Sequence, residues 1–355
     1  MGTATVLAGA TSWADRSLVR DGGFYPSRSL GAAQRLAYYA SRLPLAEVAT
    51  TFRFPPTPEV TSRWASATPP GFTLDVQAWS LLTGAPTWPE SLWSDLQGRV
   101  TPSRREGAKL YRHRLPADVV DECWERFVHA LKPLAQAGRM GAVVLRYPAW
   151  FSPRPDAWAE LAEIPSRLPG LRAAVELTND KWLAGDQCEQ TLGFLEGVGL
   201  GFVCRDRPAP ARPVVAATSD WAFVRFPGRH RGGPAQVVNG QGGPDGEGPA
   251  GGDGAAEGCR PAGGDGPAQG EGRADGAGPV WWSYRYSDAE LAAWEPLVRD
   301  LASGTSQVHL VMDNCWRTDA VDNAARLLQL VGAGSAEPLP AGSSTGTAGT
   351  GKSPV

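Results

Sequence analysis

One pattern recurs along this chain often enough to limit its fold: a short apolar run, a single polar or charged side chain, then a turn. The clearest copy is Leu171 to Trp182, LRAAVELTNDKW, where Ala173, Ala174 and Val175 lead into Glu176 and the turn Thr178-Asn179-Asp180. Apolar runs of roughly four to eight residues closed by turns read as strands buried on both faces, the kind found in parallel sheets. An acid at the end of such a strand is costly to bury unless it is paired or bound by a ligand. The pattern therefore predicts both an architecture and a place to look for chemistry.

Eight segments fit the strand reading: Thr5–Ala10, Leu45–Thr51, Phe72–Ala78, Gly141–Tyr147, Leu171–Leu177, Leu200–Cys204, Trp221–Phe226 and Gln307–Met312. Helical periodicity separates most of them. Leu36, Tyr39, Ala40 and Leu43 share one face of Gly31–Leu43, and Cys123, Phe127, Leu131 and Leu134 form a stripe on Ala117–Gly138. Helices are also predicted from Thr57 or Pro58 through Trp64, over Pro155–Leu168, Asp186–Val198 and Thr318–Val331, and from Ser287, whose Glu290 completes a capping box. Strands alternating with helices predict an α/β fold, a single TIM-type (β/α)8 barrel, with a doubly wound open sheet as the alternative.

Residues 229–279 break the pattern. They hold 18 of the 43 glycines and almost no large apolar residue, too little burial to offset the entropy of ordering them. The expectation is a disordered Gly-rich insertion within a barrel domain of residues 1–331, followed by a disordered tail at 332–355. Without the insertion, about 280 residues remain before the tail, near the size of a barrel of this type.

Bulk properties narrow the function classes. A net charge of −3 argues against non-specific coating of nucleic acid, leaving nucleic acid an unfavoured partner. No run of about 18 apolar residues predicts a membrane span. Five scattered cysteines without a CxxC fit the reduced thiols of a cytoplasmic protein. No GxGxxG follows the first strand, so a Rossmann dinucleotide site has no support, and no cofactor is expected. The four histidines are dispersed, and only His309 lies on a strand, which leaves no histidine-rich metal site to predict.

Several blocks carry a resemblance. GATSWAD at 9–15, FYP at 24–26, AEVATTF at 46–52, PPGFTLDVQAWSLLTG at 69–84, AAVELTNDKW at 173–182, YSDAEL at 286–291 and DNCWRTDAVDNA at 313–324 together resemble the YecE-like family (domain of unknown function 72), over nearly the whole chain to about residue 331. The resemblance implies a TIM-barrel-like fold; metal-dependent endonuclease barrels are its fold-level analogy. Glu47, Glu176, Asp206 and Asn314 sit where the family usually has the same residue or a similar one. Ala49, Arg53, Gln77, Arg146, Thr178-Asn179 and Pro227 depart from them, so this member's chemistry is expected to be altered.

The candidate site follows from the strand ends. Glu47 and Glu176 are the candidate catalytic carboxylates, the natural pair for acid–base work. The competing reading is that Arg53, Arg146 or Arg225 neutralises them. Trp13, Arg53, Gln77, Arg146, Trp182, Asp206, Arg225 and Asn314 are the candidate ligand contacts. Between Arg99 and Arg114 six Lys and Arg residues face one Glu, so Arg104, Arg105 and Arg112 are read as a lid over an anionic, phosphorylated small molecule; the alternative is a solvated loop. Three function classes stay open: a hydrolase-like enzyme, a barrel that only binds, and a metal-dependent nuclease.

Overall fold

Every one of the eight apolar runs forms a strand, and the strands close into one parallel barrel in sequence order, β1-β2-β3-β4-β5-β6-β7-β8. The computed structural model describes residues 4–20, 23–100, 109–208, 210–229 and 284–332. In chain order the elements are β1 (Thr5–Ala10), α1 (Arg16–Arg20), α2 (Ala32–Ala40), β2 (Leu45–Val48), α3 (Pro58–Ala67) and β3 (Thr73–Gln77). Next come α4 (Ser94–Gln97), α5 (Ala117–Gln136), β4 (Met140–Tyr147), α6 (Pro155–Arg167), β5 (Arg172–Leu177), α7 (Asp186–Val198) and β6 (Gly201–Arg205). The last elements are β7 (Trp221–Phe226), α8 (Asp288–Ala292), α9 (Glu295–Gly304), β8 (Gln307–Met312) and α10 (Asp319–Leu330). Apart from Arg229 and Gly332, the segments read from sequence as a disordered insertion and tail lie outside the described residues.

Strand alternation divides the apolar residues into two cores. Leu7, Leu45, Ala142, Val144, Ala174, Val203, Trp221, Phe223 and Val311 fill the barrel interior. The opposite faces of the same strands pack with the helices in a larger outer core. Both strand faces are thus apolar for most of their length, which is why the runs lack a clean two-residue alternation.

Local chemistry trims some elements. The second strand stops at Val48 rather than Thr51, because residues 49–52 turn into a 3₁₀ segment. The Thr51 hydroxyl lies 2.7 Å from the Val48 carbonyl and 2.6 Å from that of Gln77, which ties the turn to β3. The helix opened by Ser287 keeps its capping box but divides into α8 and α9, with Pro296 in the first turn of α9. Trp79–Pro116, read as one long irregular connection, is packed along much of its described length. Trp79, Leu81, Leu82, Leu92 and Leu96 are buried, and the Trp79 and Trp93 rings meet edge-on at 5.5 Å.

Candidate functional site

Charged side chains enter the barrel at its C-terminal end, one turn of the pleat above the apolar interior. Along β7, Trp221 and Phe223 point inward, and the next inward position is Arg225. Its guanidinium crosses the lumen: Nη2 donates to both oxygens of Glu47 on β2, at 2.8 and 3.0 Å. Nε lies 2.8 Å from Glu176 Oε2 on β5, outside hydrogen-bond alignment, and Nη1 is 3.7 Å from Asp313 Oδ2. Glu47, Glu176 and Arg225 are all closed off from solvent.

Two further arginines complete the network. Arg146 on β4 lies 3.6 Å from both Glu176 and Asp313, and Arg205 on β6 lies 3.9 Å from Glu176. Neither guanidinium donates a hydrogen bond to a described protein atom, and each side chain is about a quarter exposed, 26% for Arg146 and 24% for Arg205. Three acids therefore meet three arginines, with Arg225 locked and the other two loosely held.

The two glutamates titrate apart. Burial pushes Glu47 up to about 7, against the opposing pull of Arg225, with Asp313 and Asp75 adding to the rise. Burial acts on Glu176 in the same direction, but Arg146, Arg225 and Arg205 together outweigh it and hold this carboxyl at about 2. Glu176 is thus ionised at neutral pH, and neither of its buried oxygens accepts an aligned hydrogen bond.

The barrel wall parts beside Glu176. Registered pairs between β5 and β6 end at Val175 and Phe202, whereas β4 and β5 stay paired to Tyr147 and Leu177, and β6 and β7 to Arg205 and Arg225. A narrow cleft opens there, walled by Leu183, Phe202 and Val214 and edged by Glu176, Arg205 and Arg207.

Below the network lies a second polar pair. Asp75 Oδ2 is 2.9 Å from Nδ1 of His309, both fully buried, and Asp75 Oδ1 accepts the Ala142 N–H at 2.8 Å. Asp75 sits at a register shift between β3 and β4, where a Cβ on Gly141 would come within 2.2 Å of Oδ1. Glycine at 141 is what lets the carboxylate reach the backbone there.

Several sequence-derived candidates take other places. Asp206 is saturated outside the network: Arg229 donates to it at 2.7 and 2.8 Å, Tyr286 Oη at 2.8 Å and Trp294 Nε1 at 2.9 Å. Asn314 donates to the Tyr284 carbonyl at 2.7 Å and to Asn323 at 3.0 Å. Trp13 and Trp182 are buried packing residues, Trp13 edge-on to Trp64 at 5.9 Å and Trp182 donating to the Phe151 carbonyl at 2.7 Å. Gln77 is buried at the end of β3 without a described side-chain partner, and Arg53 is exposed and makes no described ion pair. Of the three arginines offered as neutralising groups, Arg146 and Arg225 do pair with the glutamates and Arg53 does not.

The lid reading also changes. Arg112 pairs with Glu160 on α6 and donates to the Leu82 carbonyl at 2.8 Å, so it is committed to packing. Lys109 lies over the Trp88 ring, and Arg99 pairs with Asp118. Arg104 and Arg105 lie outside the described residues. Arg205 and Asp313 were missed, although each directly follows an apolar run in the pattern that marked Glu176. Asp75 and His309 were missed as a pair because their contact crosses the barrel.

Comparison with known proteins agrees with this architecture. The family model described as "Protein of unknown function DUF72" matches residues 7–345. The chain belongs to the DUF72 family. A curated relative, the UPF0759 protein YunF of Bacillus subtilis strain 168, is 23% identical over 332 residues, covering 92% of this chain and 94% of the relative. Crystal structures of DUF72 proteins from Enterococcus faecalis V583 and Thermotoga maritima MSB8 each superpose with a TM-score of 0.62 at 20% identity. They cover 92% of this chain and 95% and 99% of their own. At that identity the likeness extends to the DUF72 fold alone. Among the described residues no helix is long and apolar enough to cross a membrane, and no three His, Cys, Asp or Glu side chains gather as a metal site.

Proposed function

We propose that this barrel binds a small anionic molecule, a phosphorylated one above all, at the C-terminal mouth. Arg146 and Arg205 are its contacts, and Glu176 behind them holds the two guanidinium groups at the cleft. The observation that carries this reading is the state of those two arginines. They are partly exposed and held only by contacts of 3.6 to 3.9 Å, with no protein hydrogen bond from either guanidinium. A guanidinium carries five donors in a planar fork matched to phosphate or carboxylate, so loosely paired arginines at a cleft favour an anion. Arg225 supplies positive charge behind them, and Glu47 fixes its orientation.

Titration of the full chain with inorganic phosphate at matched ionic strength tests this. Arg146→Gln and Arg205→Gln should each weaken binding by about ten- to a hundredfold, a charge-assisted hydrogen bond being worth roughly 1.5–3 kcal/mol. Unchanged affinity in both variants refutes the reading.

Hydrolysis at the same site is the second reading, favoured by the split between Glu47 at about 7 and Glu176 at about 2. Carboxyls pushed apart in this way suit separate acid and base roles. Glu176 is the better placed to meet a reacting atom, because both Glu47 oxygens are occupied by Arg225. Glu176→Gln abolishes turnover in a hydrolase and only weakens binding in a receptor. The metal-dependent nuclease reading has no comparable support from the described side chains.

A further inference from the structure

We infer that the anion bound at this mouth carries a flat ring, and that Trp150 is the surface on which the ring stacks. The ligand class is then a phosphate monoester bearing an aromatic group. This rests on the anion site proposed for Arg146 and Arg205 and adds a second, separable contact to it.

Among the described residues the exposed large apolar side chains are Phe54, 51% exposed, and Trp150, 43% exposed. Both lie in loops leaving the C-terminal ends of strands, Phe54 after β2 and Trp150 after β4, so both belong to the rim of the mouth. Single exposed apolar residues are ordinary on protein surfaces. Trp150 differs in how firmly its loop is held while its indole stays uncovered.

Three hydrogen bonds fix the backbone around it. The Phe151 N–H donates to the Pro148 carbonyl at 2.9 Å, closing a turn. Asn179 Nδ2, from the loop after β5, donates to the Ala149 carbonyl at 2.5 Å, and Trp182 Nε1 donates to the Phe151 carbonyl at 2.7 Å. The Phe151 ring is stacked between Tyr147 at 4.1 Å and Trp182 at 5.5 Å. The aromatic residues on either side of the turn are consumed in packing, and the one between them is left facing solvent.

The position completes the argument. Trp150 follows Arg146 by four residues on the same rim segment, and Asn179 ties that segment to the loop beyond Glu176. Arg146 and Trp150 thus come from the same strand end, the arginine within β4 and the indole in the loop that leaves it. Aromatic faces accept flat rings with little loss of side-chain freedom, and stacking of this kind is worth about tenfold in affinity.

The experiment is calorimetric titration of the full chain with phenyl phosphate, glycerol phosphate and phenol at matched ionic strength. Phenyl phosphate should bind about tenfold more tightly than glycerol phosphate. Trp150→Ala should abolish that advantage while leaving glycerol phosphate affinity and the melting temperature unchanged, and Trp150→Phe should retain part of it. Equal affinity of the two phosphates in the parent, or an advantage that survives Trp150→Ala, overturns the inference and leaves the anion site standing. Failure of both phosphates to bind the parent removes the anion site, and the inference with it.

Discussion

Arg225 Nη2 and Glu47 Oε2 are 2.8 Å apart across the barrel lumen, and neither side chain reaches solvent. They come from β7 and β2, so one contact spans the mouth and joins strands that share no hydrogen bond. The same arginine faces Glu176 and Asp313, which makes it the hub through which the acids are held. Burying such a group is tolerable only with its partners present, since each lone charge carries a desolvation cost of several kcal/mol.

Removing the hub should therefore be expensive. Arg225→Met leaves Glu47 and Glu176 buried without their shared counter-ion and should destabilise the fold by about 3–5 kcal/mol in urea unfolding. Adding Glu47→Leu to it should recover part of the loss, because one lone charge disappears. A double variant no more stable than Arg225→Met would contradict the pairing.

Stability should vary with pH in a manner set by the two glutamates. Glu47 is raised from 4.5 to about 7 in the folded state, so between those values the folded chain holds more protons and stability falls as pH rises. Glu176 is lowered from 4.5 to about 2, so between those values the unfolded chain holds more protons and stability is lost as pH falls. In Glu47→Gln the decline from pH 4.5 to 7 should flatten relative to the parent, while the loss below pH 4.5 remains. Melting temperatures across pH 3 to 8 give the comparison.

Asp206 should prove structural. Its carboxylate takes donors from Arg229, Tyr286 and Trp294, tying the residue just before 230–283 to those just after it. Asp206→Ala strips the acceptor from all three and should cost about 3 kcal/mol, in the range for hydrogen bonds to a charged group. Phosphate affinity of the folded variant should match the parent. Loss of phosphate binding without loss of stability would return Asp206 to the ligand site.

Gly141→Ala tests the inner pair. The added methyl meets Asp75 Oδ1 at 2.2 Å and Thr73 Cγ2 at 2.7 Å, and Asp75 cannot retreat without releasing His309 and the Ala142 N–H. A destabilisation of about 2–4 kcal/mol is expected, the usual size for overpacking joined to a lost buried hydrogen bond. Asp75→Ala in the same background should reduce the added penalty, which a double-mutant cycle by chemical denaturation would show.

The barrel was legible in the sequence because its signals are local. β1, β7 and β8 have the bounds read from their apolar runs, and Ser287 and Glu290 form the predicted capping box. Errors fell where a distant group intervened, as at Thr51, whose hydroxyl reaches the Gln77 carbonyl and converts the end of β2 into a turn. The four buried leucine and tryptophan side chains at Trp79, Leu81, Leu82 and Leu92 were unreadable as packed structure because they follow neither strand nor helix period.

By itself the sequence determined that eight apolar strands would alternate with helices, and that single charges such as Glu47, Glu176 and Arg225 would sit at strand ends. Periodicity and burial cost are properties of neighbouring residues, so a linear string displays them. Only the tertiary structure decided which charges meet. Closure of the barrel brings Arg225 to Glu47, Arg205 to Glu176 and His309 to Asp75, pairs separated by up to 234 residues. Packing likewise decided that Trp13 and Trp182 are buried while Trp150 stays exposed, because exposure depends on what the rest of the fold brings against a side chain.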